Sequence, residues 1–143
     1  MKEYPKKVKY NRVFRVKLKN KDVALNFLNI WFFNYGIKAL ENGKLKLFHL
    51  LALIRFFKKN FKKDYKIKFN VSLVTPVTKK PKEARMGKGK AQRDHWECNV
   101  KKGMVVIEIG IFKENIYLNK FLKILYKAVE KLPMQAAVVK LTY

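Results

Sequence analysis

An α+β fold, with a mainly antiparallel or mixed sheet, two amphipathic helices and a long basic loop, is predicted for this chain of 143 residues. Three observations predict it. Two stretches carry apolar residues at helical spacing, and several shorter ones alternate or run apolar between turn signals. One further stretch, Thr78–Arg93, holds cations and glycines but no apolar run. The resulting order is strand, helix, strand, long loop, hairpin, helix, strand, which suits an α+β architecture.

Residues 1–22 carry nine cations (Lys2, Lys6, Lys7, Lys9, Arg12, Arg15, Lys17, Lys19, Lys21) and two acids, Glu3 and Asp22. Tyr4, Val8, Tyr10, Val13, Phe14, Val16 and Leu18 are interleaved among them. Partial alternation over Val13–Lys19 is compatible with an edge strand. The charge favours a basic N-terminal arm lying on phosphates, with aromatics available for stacking on unpaired bases. Residues 23–143 then form a single α+β domain.

Val23–Phe33 (VALNFLNIWFF) is apolar enough for a buried strand or a short helix, and its periodicity does not decide between them. Tyr35–Leu40 reads as a strand ended by the turn signal Glu41-Asn42-Gly43. Leu47, Leu50, Leu51, Ile54, Phe57 and Phe61 follow the i, i+3, i+4, i+7 rule, which places a helix over about 45–61. Phe48, Leu53 and Phe56 fall off that stripe, and the surplus predicts a second face covered by another protein or domain. Lys58, Lys59, Lys62 and Lys63 close the helix, where they complement its dipole.

Tyr65, Ile67, Phe69, Val71 and Leu73 alternate with polar residues as a strand, and Thr75-Pro76 ends it. His95–Val100 is a short strand, Lys101-Lys102-Gly103 a hairpin turn and Met104–Ile109 a largely buried return strand, with Gly110 breaking the pattern. Leu118, Phe121, Leu122, Leu125, Val129 and Leu132 mark a second helix over about 114–131. Pro133 stops it before a last strand, Ala136–Tyr143.

The loop Thr78–Arg93 has 16 residues and seven cations (Lys79, Lys80, Lys82, Arg85, Lys88, Lys90, Arg93) against one acid, Glu83. Loops of this length in small domains are usually functional or disordered. Gly87 and Gly89 remove the side-chain barrier to close approach of a phosphate backbone. Backbone N–H groups and cations can then face anions together. Five phosphate contacts would give a logarithmic salt slope of roughly −3.5 to −4.5.

A net charge of +24 repels itself and calls for a polyanionic partner, nucleic acid first and an anionic membrane surface second. Only five of the 34 cations are arginines (Arg12, Arg15, Arg55, Arg85, Arg93), and with many Phe, Ile, Asn and Tyr this resembles coding from AT-rich codons. The lone Cys98 excludes an internal disulfide. No apolar run approaches the roughly 18 residues that span a bilayer. Asn26 and Asn29 interrupt the run after the arm, which argues against a signal peptide, and the arm lacks the serines of a transit peptide.

No catalytic, metal or cofactor site is expected. Gly87-Lys88-Gly89 lacks the spacing and hydroxyl of a Walker loop, with Ala91 and Gln92 at the positions that would matter. Cys98, His95 and distant His49 do not supply four zinc ligands. Ser72, the only serine, lies within a strand and not on a nucleophile elbow. His95 and Cys98, three apart on a strand, point to opposite faces.

Thr78-Lys79-Lys80-Pro81, Glu83 and Arg85-Met86-Gly87-Lys88-Gly89-Lys90 together resemble the signature of the bacterial-type large-subunit ribosomal protein sixteen family. The likeness continues through Trp96, Val100-Lys101-Lys102-Gly103, Glu108-Ile109 and Lys131-Leu132-Pro133-Met134. Upstream it includes Tyr35-Gly36-Ile37-Lys38-Ala39 and Gly43-Lys44-Leu45, covering about 34–143. The resemblance implies a non-enzymatic constituent of the large subunit. It would lie near the peptidyl-transferase centre and central protuberance, contacting large-subunit rRNA, 5S rRNA and tRNA. Arg85, Met86, Gly87, Lys88, Gly89 and Lys90 would form the loop tip near tRNA, and the residue at Arg85 is hydroxylated in some members.

Lys79, Lys80, Lys82 and Arg93 would flank the tip, and Lys6, Lys7, Lys9, Arg12 and Arg15 would belong to the family's basic arm. Three features differ from the family pattern. Ala91 replaces a third glycine, the first helix keeps only Arg55 and His49 of a basic cluster, and apolar Val23–Phe33 replaces a glycine-rich segment. A neighbouring ribosomal protein against helix 45–61 is therefore expected. These losses and the AT-type composition resemble an organelle-encoded mitochondrial member, with a bacterial cytoplasmic one as alternative. A peripheral membrane protein using the cationic surface and the Phe-rich helix is the second reading of the whole chain.

Overall fold

A computed structural model gives, in chain order, β1 (Tyr35–Ala39), β2 (Gly43–Lys46), α1 (Leu47–Phe61), β3 (Tyr65–Phe69), β4 (Thr75–Thr78), β5 (Arg93–Val100), β6 (Val105–Ile111), α2 (Leu118–Val129) and β7 (Ala136–Lys140). The residues described are 10, 12–14, 17–19, 22–24, 29–61, 65–87, 89–111 and 118–141. The fold is α+β, and its strands form two sheets, ordered β3-β6-β1-β7 and β2-β5-β4, with every ladder antiparallel.

The predicted hairpin over 95–109 is instead a passage between sheets. β5 pairs with β2 and β4, whereas β6 pairs with β1 and β3. The link from β1 to β2 makes the same passage, and the two crossings are tied together. The Ala39 N–H donates to the Met104 carbonyl at 2.9 Å, and the Gly103 N–H to the Ala39 carbonyl at 2.8 Å. Gly103 has a φ of 89°, in the left-handed region that favours glycine. The Asn42 side chain accepts from the Lys102 N–H at 2.6 Å, so the turn signal at 41–43 holds the second crossing as well as the first.

One face of the four-stranded sheet carries the helices. Ile37, Ile107 and Phe69 form one row across it, and Tyr35, Ile109 and Ile67 the next. The Tyr35 ring meets Phe121 of α2 edge-on at 5.1 Å, and Phe61 of α1 lies 5.3 Å from Phe121. In α1 the fully buried residues are Leu50, Leu53 and Phe57. Leu53 therefore belongs to the core and not to an outer face. The helix is enclosed on both sides of its inner stripe, which widens the buried arc beyond one row of the helical pattern. Phe56 is half-buried beneath the Lys131 ammonium, 4.9 Å from its ring centre. Of the surplus apolar residues only Phe48 is well exposed, at 60%.

The other face of that sheet is covered by the segment before β1. Ile30 packs against Gly36, and the Phe33 ring occupies the space where a Cβ on Gly110 would sit. Gly110 thus admits a ring without ending its strand, which runs on to Ile111. The described part of Val23–Phe33 is neither strand nor helix. Its backbone is held by Glu108, fully buried in β6. Glu108 Oε2 accepts from the N–H groups of Trp31 (3.2 Å) and Phe32 (2.8 Å), and Oε1 from Asn70 Nδ2 (2.6 Å). The side chain supplies acceptors that a strand partner would otherwise provide.

β2 and β4 are not foreshadowed by the sequence pattern. β2 is four residues long and merges into the apolar run of α1, which starts at Leu47, two residues later than its periodicity implies. β4 contains Pro76, which reads as a strand breaker but is tolerated because β4 is the edge of its sheet. β5 begins at Arg93, two residues earlier than expected.

Candidate nucleic-acid interface

The basic loop is the connection between two paired strands. Thr78 of β4 faces Arg93 of β5, with a register shift at Val77/Thr78, and the Lys79 N–H donates to the Gln92 carbonyl at 3.4 Å as a last rung. β5 is the central strand of its sheet, and Trp96, Cys98 and Val100 anchor it in the core. The loop therefore projects from a fixed base although its own residues bury little. A close turn, with the Ala84 N–H donating to the Pro81 carbonyl at 3.2 Å, starts its outer arm.

Gly87 and Gly89 have φ values of 98° and 73°, and no atom lies within 4 Å of where their Cβ atoms would be. Glycine is needed here for backbone conformation and not for room. Met86 between the arms is wholly exposed, at 100%. The loop curves around a hollow of about 830 Å³ whose wall runs from Lys79 to Asp94. Lys79, Lys80 and Arg85 are exposed along it and Lys90 is half-buried, while Lys82 is exposed on the outer arm. Lys80 folds inward, its ammonium donating to the Gly87 carbonyl and bracing the tip. Lys88 lies outside the described residues.

Arm and loop meet. The Lys90 ammonium donates to the Val13 carbonyl and stands 4.5 Å from the centre of the Phe14 ring. Arg12, beside them, is exposed. Arg12 and Lys90 thus belong to one basic region, a juxtaposition with no signal in the sequence. Lys6, Lys7, Lys9 and Arg15 lie outside the described residues. Nearer the chain's domain, the Asp22 carboxylate accepts from the Lys19 N–H at 2.9 Å, and Asn42 donates to the Lys19 carbonyl.

At the loop's base the Arg93 guanidinium lies 4.7 Å from the Trp96 ring centre. His95 bridges two carboxylates, Nδ1 to Asp94 at 2.7 Å and Nε2 to buried Glu97 at 3.1 Å. The hydrogen bond with His95 holds the Asp94 carboxyl below its ordinary pKa. Cys98 faces the core, where burial pushes its thiol up to about 11 and disfavours the thiolate. His49 is also structural. Its Nδ1 accepts from the Lys46 N–H at 3.1 Å, closing the N-terminus of α1, and burial and then the Lys46 charge lower its pKa. Among the described residues no cluster of His, Cys, Asp or Glu could hold a metal ion, and no helix is long and apolar enough to cross a membrane.

Glu108 and the Trp31–Phe32 pair it holds were not singled out by spacing or charge. The one available sign is a lone acid inside the apolar run Met104–Ile109, a position that requires a polar partner.

Comparison with known proteins gives concordant matches. The pattern of the family described as ribosomal protein L16p/L10e matches residues 3–139. The large ribosomal subunit protein uL16 of Sulfurihydrogenibium sp. (strain YO3AOP1) is 36% identical over 136 residues, covering 95% of this chain and 94% of the relative. The protein of the same name from Allorhizobium ampelinum is 35% identical over 112 residues, covering 78% and 80%.

Proposed function

The chain belongs to the ribosomal protein L16p/L10e family, and on that premise we infer how it acts. It is a structural, non-enzymatic constituent of the large ribosomal subunit and serves translation by binding rRNA and other ribosomal proteins. The finer reading is that the loop Thr78–Arg93 lies against rRNA, with Arg85, Met86, Gly87, Lys88, Gly89 and Lys90 as its tip towards tRNA. Lys6, Lys7, Lys9, Arg12 and Arg15 of the arm, residues 1–22, neutralise phosphates beside it, and 5S rRNA is a further neighbour.

One observation carries this reading: a glycine-hinged loop, braced by Lys80 and rooted in a central strand, holds Lys79, Lys82 and Arg85 out to solvent. Cations on a fixed base lose less freedom on binding than the same cations on a free tail. The contact of Lys90 with Val13 supports arm and loop acting on the same stretch of RNA. Nothing favours the membrane reading. Leu53 and Phe57 turn into the core, and the face left to α1 is reduced to Phe48 and its surroundings, where a neighbouring ribosomal protein would dock.

The Lys-rich, Arg-poor composition supports a mitochondrial, organelle-encoded member. Locating the gene tests that point, and a place on an AT-rich bacterial chromosome would overturn it. The ribosomal role is tested by sedimentation of native extract after detergent treatment. Co-migration with large subunits is expected, whereas release by detergent would contradict it.

A further inference from the structure

Trp31 and Phe32 stand out of the protein, 71% and 62% exposed, on the face of the four-stranded sheet opposite the helices. Their neighbours do the reverse. Ile30 turns in against Gly36 and Phe33 against Gly110, so the segment is pinned on either side of the exposed pair. Between those pins, the N–H groups of Trp31 and Phe32 donate to the fully buried Glu108, whose second oxygen is held by Asn70. The backbone under the two rings therefore has anchors at four successive residues.

Lys68 shares that sheet face, paired in register with Glu108, and its ammonium lies 2.7 Å from the centre of the Phe32 ring. Lys66, two residues away on the same face of β3, is exposed. Large flat rings on an anchored backbone, one of them capped on one face by an ammonium group, are the parts of a stacking platform for single-stranded nucleic acid. The rings take bases, and the cations take the adjoining phosphates. An apolar protein partner is a poorer fit, because docking on Phe32 would strip water from the Lys68 charge without offering it an anion.

We propose that Trp31 and Phe32, with Lys68 and Lys66, form a ledge on which an unpaired RNA base stacks, separate from the basic loop. The ledge belongs to the four-stranded sheet, whereas the loop springs from the three-stranded one. This rests on RNA being the chain's partner and adds a second point of contact, one that reads base planes where the loop reads phosphates.

The test titrates the full chain with a short oligoadenylate and, separately, with inorganic polyphosphate of matched charge, following tryptophan emission. Trp96 is buried but carries Arg93 of the loop's base over its ring, so the quenching that reports stacking is the part lost in Trp31→Ala. Oligoadenylate is expected to quench emission and polyphosphate to bind without quenching. Trp31→Ala should weaken oligoadenylate binding roughly fivefold to a hundredfold and abolish the quenching. Trp31→Phe should restore most of the affinity, and Lys90→Glu should weaken binding of both polymers while leaving the quenching at saturation. Equal quenching by both polymers, or unchanged oligoadenylate affinity in Trp31→Ala, would overturn the ledge and leave a protein neighbour as its occupant. If Lys90→Glu still weakened binding in that case, the loop reading would stand without the ledge. If the native chain bound neither polymer, both would fall together.

Discussion

Glu108, itself fully buried, holds two backbone N–H groups and one side-chain amide in part-buried hydrogen bonds. Removing it leaves those three part-buried donors without their acceptor, at about 0.5–1.5 kcal/mol for each hydrogen bond lost. Glu108→Ala should therefore destabilise the protein by about 2–4 kcal/mol in urea denaturation, and Glu108→Gln, which keeps an acceptor, by less. His49 gives a prediction with a sign. Its folded-state pKa is lowered, chiefly by burial, so the unfolded chain binds more protons below the ordinary value of about 6.5. The stability it contributes is complete above that value and is lost as pH falls below it. Urea midpoints of the native protein should fall more steeply than those of His49→Gln as the pH is lowered from about 7 towards the folded-state pKa. At this scale the glycines at 87 and 89 were legible, because positive φ selects glycine locally. The role of Glu108 was not, because its partners Trp31 and Phe32 lie 77 and 76 residues away in the chain.

The ribbon of β4 and β5 carries the loop, and the two respond separately to mutation. Gly87 and Gly89 touch nothing at their Cβ positions, so alanine there costs only backbone conformation, about 1–2 kcal/mol at each. Because nothing packs at those positions, Gly87→Ala/Gly89→Ala can leave this shape locally instead of straining the core. The melting temperature should therefore stay close to the native value, while affinity for large-subunit rRNA in filter binding falls roughly fivefold or more. An unchanged affinity would mean that the loop is not held in this shape when bound. Helices α1 and α2 and the strands β1, β3, β6 and β7 follow from apolar periodicity, since each has an apolar side facing one core. β2 and β4 do not, because one is too short and the other contains Pro76, and only their pairing with β5 makes them strands. The inner face of α1 was misplaced at Leu53 for a related reason. A helical stripe gives the direction of burial but not its width, which is set by what packs on either side.

Across the whole molecule, a charge of +24 is spread over a fold whose core is built from both sheets and both helices. Cations collect where the chain leaves that core, on the loop and on the arm that Lys90 touches. A polyanionic partner was therefore legible in composition alone, and the class of fold in periodicity, while the choice of RNA over a membrane surface needed the loop's motif. The division into two sheets was not, because the passages β1–β2 and β5–β6 look like ordinary turns until Ala39, Gly103 and Asn42 are seen to bind them together. What the fold provides is a fixed base for a braced, cationic loop, which on the proposed reading positions RNA and performs no chemistry of its own. The most direct measurement replaces Lys88 and Lys90 together with Glu in the sole gene copy and follows large-subunit assembly by gradient sedimentation alongside the rate of translation. Reversing two cations at the tip should deplete mature large subunits or slow translation while the isolated protein keeps its fold. Normal assembly and normal translation in that strain would contradict the contact between this loop and ribosomal RNA.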